Sequence, residues 1–303
     1  MPGRLSAAFD ILKATGREFM ADDCFQMSAA LAYYAMFSLA PIVLLIFWIA
    51  GIVLDPSMVE GELKETLTTS LGADGAAQVI TMVEIMGKDP PSASLSGVFA
   101  GLSLIFGATG LVYQLQKALN RVWSVAPAPG RGVQSFVVKR LTSAAMLLFG
   151  AAPLMLISIA SSAMLGVLTG PLAQLLPSDL AAPMLKLAEP ALSMALSSFM
   201  FASIFKFLPD ARITWRDAMI GGAITAGLFV VGETGLGFYL GRSSIGSAFG
   251  AASSLAVLLV WVYYSTLSLF LGAEFTQVYA KSHDGITPRK GALRVSRSVI
   301  PGD

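Results

Sequence analysis

"CFQMSAALAYYAMFSLAPIVLLIFWIAGIVL" fills residues 24–54 and holds no Asp, Glu, Lys or Arg in 31 positions. A helix crosses a bilayer core with about 20 apolar residues, so the stretch is long enough for one crossing. Pro90–Gln116, Leu141–Ser178 and Ser243–Ala273 are also free of charge, over 27, 38 and 31 residues. The chain of 303 residues is 55% hydrophobic and 13% charged, against roughly 25% charged in a soluble domain. A water-soluble fold has no use for four such runs. The composition is that of an all-α, polytopic membrane helix bundle.

Two further spans are interrupted by charge. One covers about 187–208, with Glu189 near its start and Lys206 near its end; the other covers about 218–240 and contains Glu233. The 38-residue run holds one span, at about 139–165, because Pro171, Pro177 and Pro183 follow Gly170 and proline breaks helices. With spans at about 29–54, 94–116 and 248–274, the expected count is six transmembrane helices. They form one domain over residues 1–280, followed by a flexible basic tail at 281–303.

From the N-terminus onward, the segments outside these spans carry 3, 2, 5, 1, 3, 1 and 5 Lys and Arg residues. Alternate sides of the membrane therefore hold 16 and 4. The positive-inside rule places the richer side, with both termini, in the cytoplasm. The first loop carries seven acids, has helical periodicity, and is expected to form helices on the outer surface. At the N-terminus, "GRLSAAFDILKATGREFM" puts Leu5, Phe9, Leu12 and Phe19 on one helical face, with Arg4, Asp10, Lys13 and Arg17 mostly elsewhere. Such a helix suits the inner-leaflet interface or a groove in the protein's own loops. This charged start has no short apolar core before a small-residue cleavage site, unlike a secretory signal peptide.

Catalysis finds little support. The one histidine, His283, lies in the polar stretch "KSHDGITP", and the one cysteine is Cys24. No cluster has metal-ligand spacing, and no acid–base pair suited to a ribonuclease is visible. Asp22 and Asp23 precede a helix, where acids favour its N-terminus. A net charge of +1 gives no reason to expect nucleic acid. The expectation is a protein that is not an enzyme and uses no cofactor or metal.

Four motifs run along the chain: "LAYYAMFSLAP" at 31–41, "ALNRVW" at 118–123, Pro209 with Trp215-Arg216-Asp217 entering a Gly/Ala-rich span, and "LGAE" at 271–274. Together, over about Asp22–Tyr279, they resemble the YihY/BrkB family of bacterial inner-membrane proteins. The resemblance implies six helices and cytoplasmic termini. Names attached to that family include a virulence factor and ribonuclease BN, and some members are associated with moving lipids. The family tends to carry Gly-Lys where this chain has Gly232-Glu233, so no family role passes to Glu233.

The function expected is transport of a lipid or other amphiphile without an ATPase of its own, since no P-loop is present. The alternative is a non-transporting scaffold for envelope assembly, docking an envelope protein or a second copy. Membrane lipids are the expected partners. Pro41 should bend its span between Phe37 and Pro41. Tyr33 and Tyr34 count among the polar residues inside the membrane. Lys117 and Arg121 lie four apart, where lipid phosphates could bind, and Trp123 suits the interface belt. Glu233 falls in the outer half of its span and must face serines or a polar cavity, because a bare charge in lipid is costly. Ser158, Ser161, Ser162, Ser193, Ser253 and Ser254 share its depth.

Overall fold

The computed structural model describes residues 2–53, 95–127, 178–242, 253–283, 287–289 and 292–294, with residues 61, 64, 68, 76, 77, 80 and 81 between the first two blocks. At Pro41, Glu233, Ser253 and Ser254 the description covers the backbone and not the side chain.

Six helices make up most of it: α1 (Pro2–Ala21), α2 (Cys24–Val53), α3 (Leu95–Val122), α4 (Ser178–Phe207), α5 (Trp215–Arg242) and α6 (Ser253–His283). A helix of 30 residues such as α2 is about 45 Å long, so its ends reach beyond a bilayer core. Among the described residues, three segments are long and apolar enough to cross a membrane: Pro190–Phe207, Trp215–Leu236 and Leu255–His283. The described residues of the first loop are helical. The span expected at about 139–165 lies outside the described residues, as do Ser158, Ser161 and Ser162. The helix α2 runs unbroken through Pro41; the surroundings that would show the expected bend lie outside the described residues.

The helix α6 is central. It packs against α1, α2, α3 and α5, while α4 packs on α5 and α2 on α3. The seam between α5 and α6 is built from reciprocal glycine and threonine pairs. The Thr225 hydroxyl donates to the Gly221 carbonyl of its own helix (2.8 Å) and lies over Gly272 of α6. The Thr276 hydroxyl donates to the Gly272 carbonyl of its own helix (2.6 Å) and lies over Gly221 of α5. Each threonine satisfies its own polar atom locally and fills the notch a glycine leaves opposite. Further along the seam, the Tyr264 ring occupies the space where Gly232 would carry a Cβ, and its hydroxyl donates to the Leu228 carbonyl (2.9 Å). On the other side of α5, Gly222 meets the backbone of α4 at the Ser198 carbonyl and the Ala202 nitrogen. Small residues let helix backbones approach closely in lipid, where no hydrophobic force drives helices together.

Four short strands lie beyond the helix ends: β1 (Val125–Pro127), β2 (Ala211–Arg212), β3 (Thr287–Pro288) and β4 (Ala292–Arg294). The strand β4 pairs antiparallel with β1, and β3 with β2. The segment following α6 is thus strapped across the loops that follow α3 and α4, where a flexible tail was expected. Backbone hydrogen bonding to those loops explains the difference; a tally of charge does not foresee it.

The glycine contacts predict a contrast. In Gly222→Ala, a Cβ meets α4 backbone that no rotamer change can move, and α4 and α5 must separate. A loss of about 1–3 kcal/mol is expected, the usual cost of overpacking. Gly235 faces open space, so Gly235→Ala should be neutral or gain up to about 1 kcal/mol from helix propensity. Thermal unfolding of the purified protein in detergent checks this, and equal melting of the two variants would contradict the packing described.

Candidate functional site

Where α1 turns into α2, three carboxylates converge. Glu18 belongs to the last turn of α1, Asp22 to the turn itself, and Glu274 to α6. One oxygen from each lies within 4.8 Å of the others. Asp22 and Glu274 are fully buried, and Glu18 is mostly so. Two like charges at that separation repel by about 3 kcal/mol at an effective dielectric of about 20. Such a group is chemically suited to sharing a proton or a divalent cation. Asp22 thus joins this cluster, whereas the sequence suggested a role at the start of α2.

Cys24 opens α2 beside the cluster, and its thiol donates to Glu274 Oε1 at 3.7 Å. Burial, then the charges of Glu274 and Asp22, push the thiol's pKa well above its ordinary value of 9.0. Asp23 makes the turn possible, with a left-handed φ of 55°, which Asp tolerates better than most residues. Its carboxylate accepts from Arg121 Nη2 of α3 at 2.7 Å.

Around this centre, polar side chains tie one helix end to the next. The Gln277 amide of α6 donates to the Val122 carbonyl at the end of α3. The Asn120 amide donates to Asp210 Oδ2 (2.8 Å) and its carbonyl accepts from the Asp210 backbone N–H (2.7 Å), which joins α3 to the loop between α4 and α5. Arg289 of the strap donates to the Phe207 carbonyl (3.2 Å) and to the Lys206 carbonyl. It caps the carbonyl end of α4, where a cation is favoured. The Arg289 N–H donates to the Asp210 carbonyl (2.8 Å). Trp123 packs on Phe205, ring centres 5.9 Å apart.

The structure redistributes the residues the sequence singled out. Arg121 is engaged with Asp23, so the expected phosphate pair reduces to the exposed Lys117. Trp123 is buried and is not an interface-belt residue. That position falls to Trp215, exposed beside Phe199 and Phe207, with Lys206 Nζ 5.8 Å from its ring centre. Tyr33 and Tyr34 are exposed on α2, where Tyr33 makes edge contacts with Tyr34 and with Phe37. Ser193 is exposed on α4, and Ser253 and Ser254 begin α6. Glu233 lies on α5 between the buried Gly232 and the exposed Thr234. Sequence reasoning gave no role to Glu18, Glu274, Gln277 or the Asn120–Asp210 pair. The available signal was that "DDC", "ALNRVW" and "LGAEFTQ" each carry polar residues at the end of an apolar run.

Two outcomes follow. Asn120→Ala leaves the Asp210 N–H without its acceptor and should cost about 1–3 kcal/mol. Arg121→Gln removes a partly exposed ion pair and should cost about 1 kcal/mol or less, with the difference shrinking at high salt. Denaturation at low and high salt reads both. Cys24 should resist maleimide in the folded protein and react after denaturation. The raised thiol pKa favours the folded state fully below pH 9.0, the ordinary value, and that advantage is lost as pH rises from there toward the folded-state value. Cys24→Ala should therefore lose less stability than the parent protein between neutral and strongly alkaline pH.

The family profile described as "Virulence factor BrkB" matches residues 15–294. A "UPF0761 membrane protein" of Halorhodospira halophila is 28% identical, over 91% of this chain and 62% of its own length. Another, of Alkalilimnicola ehrlichii, is 27% identical over 98% of this chain and 65% of its own. A third, of Pseudoalteromonas atlantica, is 28% identical over 82% and 78%. The chain thus spans less than two thirds of the length of the first two relatives. No solved structure matches. The polar contacts that join the helix ends, from Glu18 to Arg289, form a latch that lies wholly within the matched region, and this chain belongs to the BrkB virulence-factor family of membrane proteins.

Proposed function

We propose that this chain is a transporter of a lipid or other amphiphile in the bacterial inner membrane. It crosses six times, with both termini and the latch in the cytoplasm, the acidic first loop outside and α1 on the inner leaflet. It has no catalytic role and no ATPase of its own.

The observation that carries this reading is the contrast between the two ways the helices are joined. The α5–α6 seam is held by interlocked small residues, which move apart only by leaving voids. The latch is held by an ion pair and by hydrogen bonds at exposed or part-buried positions, which water can replace at modest net cost. A bundle built this way can open at one end while the seam stays intact. A scaffold needs no such asymmetry. One observation favours the scaffold: Ser198, Thr225, Thr266 and Thr276 donate to carbonyls of their own helices, leaving those hydroxyls committed to the fold.

Reconstitution decides between the two. Vesicles containing the protein and a fluorescent phospholipid in both leaflets are exposed to an impermeant quencher from outside. Transport predicts quenching of inner-leaflet lipid faster than in protein-free vesicles, and a further change of rate in Asp23→Asn, which weakens the latch at a partly exposed position. Folded protein that leaves the rate at the protein-free level would refute transport and leave the scaffold.

A further inference from the structure

The surface of α1 departs from what its sequence suggested. Phe19 turns inward with Thr15, toward the elements α1 packs on, α6 and α2. Phe9, Leu12 and Met20 turn outward, with 67, 61 and 62% of their surface exposed. At 100° per residue these three fall on one stripe with Gly16 between them, and no side chain stands over Gly16. Lys13 and Arg17, both exposed, border the stripe. The buried face of α1 is therefore already used, and the apolar stripe is a second face that none of the described residues covers.

The position of the stripe identifies its occupant. The helix α1 ends at Ala21, and two residues later α2 begins the charge-free run that enters the membrane. Phe25, in the first turn of α2, is exposed and makes an edge contact with the inward Phe19 (5.2 Å), so a large apolar side chain also stands exposed where α2 starts. A stripe of large apolar side chains at the level where a chain enters hydrocarbon, edged by two cations, matches the boundary between acyl chains and anionic headgroups. We propose that this face of α1 is a docking surface for anionic phospholipid: Phe9, Leu12 and Met20 enter the acyl boundary, and Lys13 and Arg17 hold headgroup phosphates. The assignment to the inner leaflet rests on the topology proposed above. Because Glu18 sits on this helix and in the carboxylate cluster, lipid docking bears directly on the latch.

The test uses the full chain in nanodiscs of phosphatidylcholine, with or without phosphatidylglycerol. A nitroxide is placed at Leu12→Cys and, separately, at Phe9→Cys; Cys24 is buried, and the unsubstituted protein gives the background. Collision with oxygen, which favours lipid, is compared with collision with a water-soluble nickel chelate. Both labels should be immersed, with the immersed-to-free ratio roughly thirtyfold higher in anionic discs, the size expected of two basic side chains at such a surface. Lys13→Gln with Arg17→Gln should abolish that difference. Labels open to nickel in both compositions, or equally immersed in both, would overturn the proposal. So would shielding seen only when two copies share a disc, which assigns the face to self-association. The label reads immersion and not movement of lipid, so failure here and failure of transport are separate results.

Discussion

A carboxylate taken fully out of water must find hydrogen-bond donors, a cation or a proton nearby, and Glu274 has no exposed surface. Much of the arrangement follows from satisfying that requirement at one place. Between Gly272 and Gln277, α6 meets every helix it packs on. Gly272 and Thr276 key into α5. Glu274 faces the thiol of Cys24 on α2 and the acids Glu18 and Asp22, while Gln277 holds the end of α3. Moving α1, α2 or α3 along α6 would break a buried polar contact, and moving α5 would unseat the glycine and threonine pairs. The register of the bundle is fixed by this constraint, since in hydrocarbon apolar packing alone leaves helices free to slide.

The latch and the seam use different contacts. The seam keeps its hydroxyls on carbonyls of their own helices and makes interhelical contact through shape. At the latch, Arg121 and Asp23 are partly exposed, so their pair has water as an alternative, while the bond from Gln277 to Val122 is buried. Polar contacts there specify which ends meet without making their separation prohibitive. The strap adds Arg289 to the carbonyl end of α4, so the loops after α3 and α4 are held by one segment and move together.

The helices were legible in the sequence because bilayer thickness imposes a length on every apolar run. The described residues are helical in the regions of five of the expected spans, and the one at about 139–165 lies outside them. The latch was not legible, for a physical reason. Near a membrane boundary a charge reads as a topology marker, and that rule treats each residue as facing water. Arg121 does add to the positive side, yet its partner Asp23 lies 98 residues away in sequence, and nothing local announces the pair. Trp123 went wrong in a related way: an aromatic near a span end can face lipid or core, and only the rotation of its helix decides. The glycines misled by pattern. Nothing in the pattern marks Gly221-xxx-Thr225 and Gly272-xxx-Thr276 as partners among 29 glycines, because threonine supplies the second small residue of each pair.

Glu233 shows how a local contact reshapes a functional argument. In sequence, the glycines beside it suggested room for a substrate or a neighbouring helix to approach. Gly232 now has its own explanation: the Tyr264 ring fills the space beside it, with the hydroxyl anchored on Leu228 one turn back. Gly235 faces open space, so it is not kept small by a helix contact. One glycine is accounted for by packing and the other by no neighbour, and neither requires a substrate path. What the seam does supply is rotation. With Gly221, Thr225 and Gly232 all committed to α6 and Gly222 to α4, the face that α5 presents at each level is set by contacts on both sides. Any role for Glu233 must therefore be exercised from a fixed azimuth on α5, because turning the helix to re-aim it would unseat the glycines on both of its neighbours.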